Sequence, residues 1–172
     1  MSAPDTFPRL LIEHARQRGD RPSIREKDLG IWQTYSWKQA LEEVRSLACG
    51  LHTLGLGRGD AVAIIGDNRP RLYWAMDAAQ ALGAIPVPLY QDAVADEMAY
   101  VLTNADVRIA IVEDQEQVDK LLEIRARCPQ LGRIWFHDPR GLRTEQHRGD
   151  KATLVRLRTH MASEQTLDFG LG

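Results

Sequence analysis

Three closely spaced glycines, Gly55, Gly57 and Gly59, are the first pattern in this sequence with the potential to bind a ligand. Glycines at this spacing hold the pyrophosphate of a dinucleotide when they follow a strand and open a helix, because the helix amides then face the anion. Here the glycines come after a helical pattern and before a strand. They therefore indicate the end of a helix rather than a nucleotide site.

A second candidate, Gly66-Asp67-Asn68, comes directly after a run of apolar strand residues. Open α/β sheets bind ligands at the carboxyl ends of their strands, and an acidic residue there holds Mg²⁺ in receiver domains. Such a site needs clustered carboxylates, but Asp67 has no acidic neighbour in the sequence. We interpret Asp67 as a surface residue and Asn68 as a helix cap, and we expect Asp92 and Asp114 to cap later helices.

Other residue types that often carry chemistry lack the spacing they need. The five histidines show no metal-ligand pattern, so no metal site and no catalytic residue is assigned. Cys49 and Cys128 lie in helical patterns and are typical of buried free thiols. The net charge of −2 gives no overall field that would attract nucleic acid. No apolar run approaches the roughly 20 residues of a membrane span, and we expect a cytoplasmic protein.

Hydrophobic spacing predicts the elements that would position these residues. A helix over residues 5–18 precedes a β-hairpin with arms at residues 23–26 and 31–35. Ser36 and Gln39 form a capping box, in which each residue can bond the backbone of the other, and this box opens the next helix.

The rest of the sequence alternates between short apolar strands and helices. Strands are predicted at residues 61–65, 84–88, 107–112 and 134–136, and the last of these is the final predicted strand. Each unit of strand and helix takes about two dozen residues, which is typical of parallel strands with helical crossovers. Prolines in the second strand remove two donors and favour an edge position for it. The predicted fold is α/β: a partial doubly wound, largely parallel sheet flanked by helices, with an N-terminal β-hairpin.

Four stretches, in this order and at this spacing, carry a resemblance to a known family. They are Arg25-Glu-Lys-Asp-Leu-Gly-Ile-Trp-Gln-Thr-Tyr-Ser-Trp37, Arg58-Gly-Asp-Ala-Val-Ala-Ile-Ile-Gly-Asp-Asn-Arg-Pro70, Ala84-Ile-Pro-Val-Pro-Leu-Tyr90 and Asp138-Pro-Arg-Gly-Leu142. Over residues 6–143 the sequence resembles the N-terminal part of long-chain fatty acid–CoA ligases, which are AMP-forming acyl-CoA synthetases of the adenylate-forming superfamily.

The resemblance implies a parent reaction and one binding site. ATP and Mg²⁺ serve to convert a fatty acid into an acyl-adenylate, and the acyl group then passes to CoA. The segment after the strand at 84–88 lies near the CoA nucleotide in some family members. Tyr90, Gln91 and Asp92 are therefore candidate cofactor-binding residues, and a purely structural turn is the alternative.

The family's catalytic motifs do not occur in these 172 residues. Missing are the Ser/Thr/Gly-rich phosphate loop that ends in lysine, the ribose-binding aspartate and the lysine of the mobile C-terminal domain. No catalytic residue is transferred by the resemblance. We expect a truncated N-terminal segment of a ligase that is inactive alone and binds no cofactor by itself.

The resemblance ends near Arg143. We expect residues 1–143 to form the N-terminal part of an AMP-binding domain and residues 144–172 to form a divergent, loosely ordered tail. Apolar positions in this tail are too sparse to offset its ordering entropy. A frameshift, a gene fragment or an altered expression product would each give such a tail. The strands at 107–112 and 134–136 lack prolines to guard their edges, so we also expect self-association.

Functions of other classes remain open. One is a small flavodoxin-like or receiver-like α/β module that binds a ligand without adenylating it. The isolated Asp67 counts against a receiver, and the absence of a Thr/Ser-rich phosphate loop after the first strand counts against a flavodoxin. Another is a fragment that serves as an interaction surface.

Overall fold

The described part of the chain, residues 5–138, Arg140 and the backbone strand 154–156, divides into two units in a computed structural model. The first unit contains the described residues up to Gly57 together with residues 68–83. The second unit contains residues 58–67 and the described residues from Ala84 onward.

Helices and a hairpin form the first unit. In chain order these are helix α1 (Phe7–Arg18), hairpin strands β1 (Pro22–Asp28) and β2 (Ile31–Ser36), helix α2 (Trp37–Thr53) and helix α3 (Pro70–Ala81). Ser36 Oγ accepts from the Gln39 amide at 3.2 Å, and Gln39 Oε1 accepts from the Ser36 amide at 2.9 Å. The predicted capping box at the start of α2 is confirmed.

The N-cap of helix α3 lies one residue later than predicted. Arg69 is the N-cap, with extended backbone at φ −112° and ψ 160°, and no side chain caps the helix. Pro70 at the start of the helix keeps the preceding residue out of helical conformation, so Asn68 lies one position too early. The Asn68 side-chain oxygen accepts instead from the Tyr73 hydroxyl at 3.5 Å. The prediction that Asn68 caps this helix is wrong.

A parallel sheet with helices forms the second unit. Its strands are β3 (Ala61–Ile65), β4 (Ile85–Leu89), β5 (Ile109–Val112), β6 (Arg133–Phe136) and β7 (Leu154–Arg156), and its helices are α4 (Ala95–Asn104) and α5 (Gln115–Glu123). The strand order is β4-β3-β5-β6-β7, and every pair is parallel. This is the order of flavodoxin-like doubly wound sheets. The predicted α/β fold is confirmed, and β7 is an additional strand.

The core of the second unit lies between the sheet and helices α4 and α5. Small side chains at Ala63 and Ala110 leave room for Met98, Leu102 and Leu121 from the helices, and all five are fully buried. Strands β3 and β5 are buried along their whole length, which is typical of central strands in a parallel sheet.

The prolines of β4 lie at the outer edge of the sheet, as predicted. The Ile85 amide donates to the Asp60 carbonyl at 2.8 Å, toward β3. Because alternate residues of a strand bond to opposite sides, Pro86 and Pro88 face outward. Their carbonyls are able to accept hydrogen bonds at this edge, but their nitrogens cannot donate.

The other predicted edges are paired. Strand β5 lies between β3 and β6, and β6 pairs with β7. The expectation that residues 107–112 and 134–136 present unguarded edges is therefore wrong, because the sheet continues beyond each of them.

Candidate functional site

The carboxyl edge of the parallel sheet gathers most of the residues that the sequence singles out. Polar residues follow the strands there: Asp67 after β3, Tyr90, Gln91 and Asp92 after β4, Glu113 and Asp114 after β5, and His137 and Asp138 after β6. Doubly wound sheets bind ligands at this edge, where the direction of winding reverses. In this sheet the reversal falls between β3 and β5, because the chain runs outward from β3 to β4 and then returns to β5.

Tyr90, Gln91 and Asp92 form an exposed turn after the edge strand β4. The Tyr90 carbonyl accepts from the Ala93 amide at 3.2 Å, and the Tyr90 side chain is 85% exposed. Gln91 and Asp92 are also exposed. An aromatic ring beside an amide can stack on a base and bond to its edge, whereas the Asp92 carboxylate would repel phosphate. The turn is chemically suited to the base or ribose of a nucleotide.

Lys120 ties this turn to helix α5. Its ammonium donates to the Gln91 carbonyl at 2.6 Å and pairs with the Glu116 carboxylate at 2.8 Å. A charged donor makes a stronger hydrogen bond than a neutral one, so Lys120 restrains the backbone of the turn. Nothing in the sequence pattern singles out Lys120, because it lies 29 residues from its partner.

Of the two aspartates predicted to cap helices, only Asp114 does so. Asp114 is the N-cap of α5, and its side chain accepts from the Gln117 amide at 3.3 Å. Helix α4 begins at Ala95 with Val94 as its N-cap, and no side chain caps it. Asp92 lies two residues before that cap, within the turn. The prediction that Asp92 caps a helix is therefore wrong.

Glu113 occupies the point where the winding reverses. Its amide donates to the Ile65 carbonyl at 3.0 Å, and its Oε2 accepts from the Asp67 amide at 2.6 Å. A Cβ at Gly66 would lie 3.0 Å from the same carboxylate oxygen, so glycine gives the carboxylate room to approach. The carboxylate thus takes an amide that an anionic ligand would need at this point.

The hydrogen bond from the Asp67 amide gives the carboxylate of Glu113 a role within the sheet. Glu113 lies one residue before the N-cap of α5, and its carboxylate bonds across the sheet. Asp67 is exposed. Between residues 5 and 138, no three His, Cys, Asp or Glu side chains lie close enough together to hold a metal ion. Phosphate binding at the reversal point would require Glu113 to move.

Asp138 and Arg140 extend this edge beyond β6. Arg140 Nε donates to Asp138 Oδ2 at 2.6 Å, and the Arg140 amide donates to Oδ1 at 2.9 Å. The hydrogen bond from the Arg140 side chain holds the pKa of Asp138 below its usual value. The Asp138 amide donates to the Glu113 carbonyl at 2.7 Å, which joins the segments after β5 and β6.

A more strongly perturbed carboxyl group lies in the first unit. Burial on helix α3 raises the pKa of Asp77 to about 6, and burial is the one cause of this shift. Asp77 lies on a helix face rather than at a strand end, so it is not part of the candidate site. Its effect is on stability. Elsewhere in the described chain, neither cysteine forms a disulfide, with Cys128 buried and Cys49 partly buried, and none of the helices is long and apolar enough to cross a bilayer.

Known proteins match much of the length of this chain. A model of the AMP-binding enzyme family matches residues 11–165. The long-chain-fatty-acid–CoA ligase ACSBG2 of Xenopus laevis is 32% identical over 131 residues, which cover 76% of this chain and 18% of the relative. The long-chain-fatty-acid–CoA ligase FadD15 of Mycobacterium tuberculosis is 26% identical over 132 residues, which cover 76% of this chain and 22% of the relative.

The fold is also found in a solved structure. The anthranilate CoA ligase AuaEII in complex with anthranoyl-AMP superposes with a TM-score of 0.73 at 20% identity, over 80% of this chain and 26% of that chain. The chain spans about a fifth of the length of the curated relatives named above. Because the family model matches most of its residues, the chain belongs to the AMP-binding enzyme family.

Proposed function

We propose that this chain provides the N-terminal segment of a long-chain fatty acid–CoA ligase. The parent reaction uses ATP and Mg²⁺ to activate a fatty acid as acyl-adenylate and then forms acyl-CoA. The observation that carries the proposal is the family match over residues 11–165, which includes every strand of the parallel sheet. The identity of 32% to a curated long-chain ligase supports the acyl substrate class. ATP and CoA as substrates favour the cytoplasm as its location.

We propose further that Tyr90, Gln91 and Asp92 contact the CoA nucleotide in the whole enzyme. Their exposure and the restraint by Lys120 support this role, because a ligand meets accessible side chains on a positioned backbone. The carboxylate of Asp92 disfavours a phosphate neighbour, so Tyr90 and Gln91 would meet the base or the ribose.

The 172 residues alone should not catalyse adenylation. The reaction needs cationic and amide donors aimed at the phosphates while charge moves to the pyrophosphate leaving group. The lysine-ended phosphate loop is not among these residues. The Asp67 amide, which lies at the reversal point of the sheet, already donates to Glu113.

Pyrophosphate release by the isolated chain, with ATP, Mg²⁺ and a long-chain fatty acid, tests this inactivity. The expected rate equals that of a heat-denatured control, and release above that control would contradict the proposal. The genomic DNA after the codon for Arg143 tests the ligase origin. A reading frame that encodes the lysine-ended phosphate loop would support it, and DNA without one would favour a separate binding module.

A chimera tests the proposed role of the turn. Residues 11–138 replace the matching segment of full-length FadD15, and acyl-adenylate formation shows whether the chimera folds and works. Tyr90→Ala should then raise KM for CoA about tenfold, since stacking on a base is worth about 1–3 kcal/mol, with adenylation unchanged. Tyr100→Ala on helix α4, where the tyrosine is 72% exposed, is the matched control. An unaltered KM for CoA in Tyr90→Ala would argue for a purely structural turn.

A further inference from the structure

The β1–β2 hairpin has one packed face and one exposed face. On the packed face, the Tyr35 ring meets the Trp74 ring edge-on, with 5.0 Å between centroids. The Tyr35 hydroxyl donates to the Glu26 carboxylate at 3.1 Å, and the same carboxylate lies 3.8 Å from the Arg69 guanidinium. These contacts attach the hairpin to helix α3 and partly compensate the charge of Glu26.

The opposite face of the hairpin carries cations and a tryptophan. The strand register pairs Lys27 with Trp32 and Arg25 with Thr34, and antiparallel partners project from the same face. All four residues are exposed, and the Trp32 side chain is 66% exposed. This face therefore presents an aromatic ring directly beside a lysine.

The hairpin tip adds two exposed apolar side chains. Leu29 in the turn is 82% exposed, and Ile31, which pairs in register with Asp28 on the face opposite Trp32, is 65% exposed. Leu29 has a φ of 47° in the two-residue turn, where asparagine or glycine would be less strained. Single exposed apolar side chains are common on proteins, but exposed Leu29 beside the face that carries exposed Trp32 makes a small apolar patch, which is typical of an interaction site.

The charges of the hairpin are divided between its two faces. Residues 22–36 contain two cations, Arg25 and Lys27, and two anions, Glu26 and Asp28. Glu26 is paired on the packed face, and the acidic Asp28 is paired in register with Ile31 rather than with the exposed-face residues. The cations Arg25 and Lys27 thus share the exposed face with Trp32.

We propose that this exposed hairpin face docks on the surface of an anionic lipid bilayer. Tryptophan favours the headgroup region of a bilayer, apolar side chains favour the acyl boundary below it, and lysine and arginine are attracted to anionic headgroups. Arg25 and Lys27 are complementary in charge to anionic headgroups. A lipid surface is favoured over a protein partner because the cations stay hydrated in the headgroup layer, whereas a dry protein interface would desolvate them. The inference uses only the hairpin surface and is independent of the proposed ligase function.

Co-sedimentation of the 172-residue chain with lipid vesicles tests the proposal. The chain should bind vesicles of phosphatidylcholine with phosphatidylserine at least about tenfold more strongly than vesicles of phosphatidylcholine alone, and salt should weaken this binding. Each cation near the surface contributes about a fivefold factor. The double variant R25Q/K27Q should therefore bind about 25-fold more weakly.

A second pair of substitutions tests the apolar tip. Leu29→Asn and Trp32→Thr suit the turn and the strand, and together they should weaken binding by at least about tenfold. Tyr100→Gln changes an exposed aromatic residue on helix α4 and should bind like the unmodified chain. Brominated lipids should quench fluorescence in the unmodified chain much more than in Trp32→Thr, since Trp74 and Trp135 are buried and Trp37 is partly buried against His14.

Three results would overturn the proposal: a chain that does not bind anionic vesicles, equal binding to both kinds of vesicle, or binding of R25Q/K27Q equal to that of the unmodified chain. Circular dichroism checks that each variant is folded. R25Q/K27Q keeps the test decisive even if the tip variant does not fold, because both of its substituted residues are exposed.

Discussion

Substituting Asp77 with asparagine should stabilise the protein at neutral pH. Burial raises the pKa of Asp77 to about 6, from an ordinary value of 3.8. The folded state therefore favours the protonated carboxyl group more than the unfolded state does. The stability that the raised pKa of Asp77 gives to the folded state is complete below about pH 3.8 and is lost as the pH rises through about 6. Above that window the folded state carries a buried charge, which asparagine lacks.

The size of the effect follows from the shift in pKa. One unit corresponds to about 1.4 kcal/mol, so a shift of about two units sets an upper limit near 3 kcal/mol. Asp77 is only partly buried, and solvent screens part of this penalty. We therefore expect Asp77→Asn to raise the free energy of unfolding by about 1–2 kcal/mol at about pH 8 and by almost nothing at about pH 3.5.

Urea unfolding followed by circular dichroism, at several pH values, measures this difference. Asp20→Asn, at an exposed aspartate in the loop after α1, serves as the control and should give a small difference that changes little with pH. A stability gain for Asp77→Asn that is the same at all pH values would refute the reasoning. So would a variant that is less stable than the unmodified chain at high pH.

Three further predictions follow from the structure, and two of them concern the sheet. Gly66→Ala should lower the free energy of unfolding by about 1 kcal/mol, because its Cβ would crowd Glu113 and disturb the hydrogen bond from the Asp67 amide. In urea unfolding, Gly132→Ala should change stability less, since its Cβ would meet only the Arg108 carbonyl at 3.8 Å. Lys120→Met should speed hydrogen exchange in the turn after β4 by severalfold, and unchanged exchange would show that Lys120 does not restrain it. Finally, light scattering across a concentration series should show self-association, because exposed Leu29, Ile31 and Trp32 favour contact and the small net charge of −2 gives little repulsion; a persistent monomer would contradict this.

Features set by neighbouring residues could be predicted from the sequence. The capping box at Ser36 and Gln39 depends on residues three positions apart, and the hairpin depends on a two-residue turn. The edge position of β4 follows from its own prolines. The caps at Asn68 and Asp92 were predicted wrongly because a suitable residue type does not fix where a helix begins. At α3, Pro70 sets that position.

Features that depend on the order of strands could not be predicted. The bond from Glu113 to the Asp67 amide spans 46 residues, and it forms because β3 and β5 are neighbours in the sheet. The bond from Lys120 to Gln91 spans 29 residues and joins a helix to a turn. Strand β7 has only three residues and is defined by its pairing with β6, so its own sequence gives little signal.

At the carboxyl edge of the sheet, the reversal point between β3 and β5 and the turn after β4 leave different groups accessible. At the reversal point, Glu113 already accepts from the amide that would meet an anion, so the chain closes that position with its own carboxylate. At β4, the turn exposes Tyr90, and the outward prolines leave carbonyl acceptors without amide donors. Any group that binds along β4 through the backbone must therefore bring its own hydrogen-bond donors. This requirement excludes ordinary strand addition along β4, which needs donors on both sides, and it favours recognition through side chains such as Tyr90.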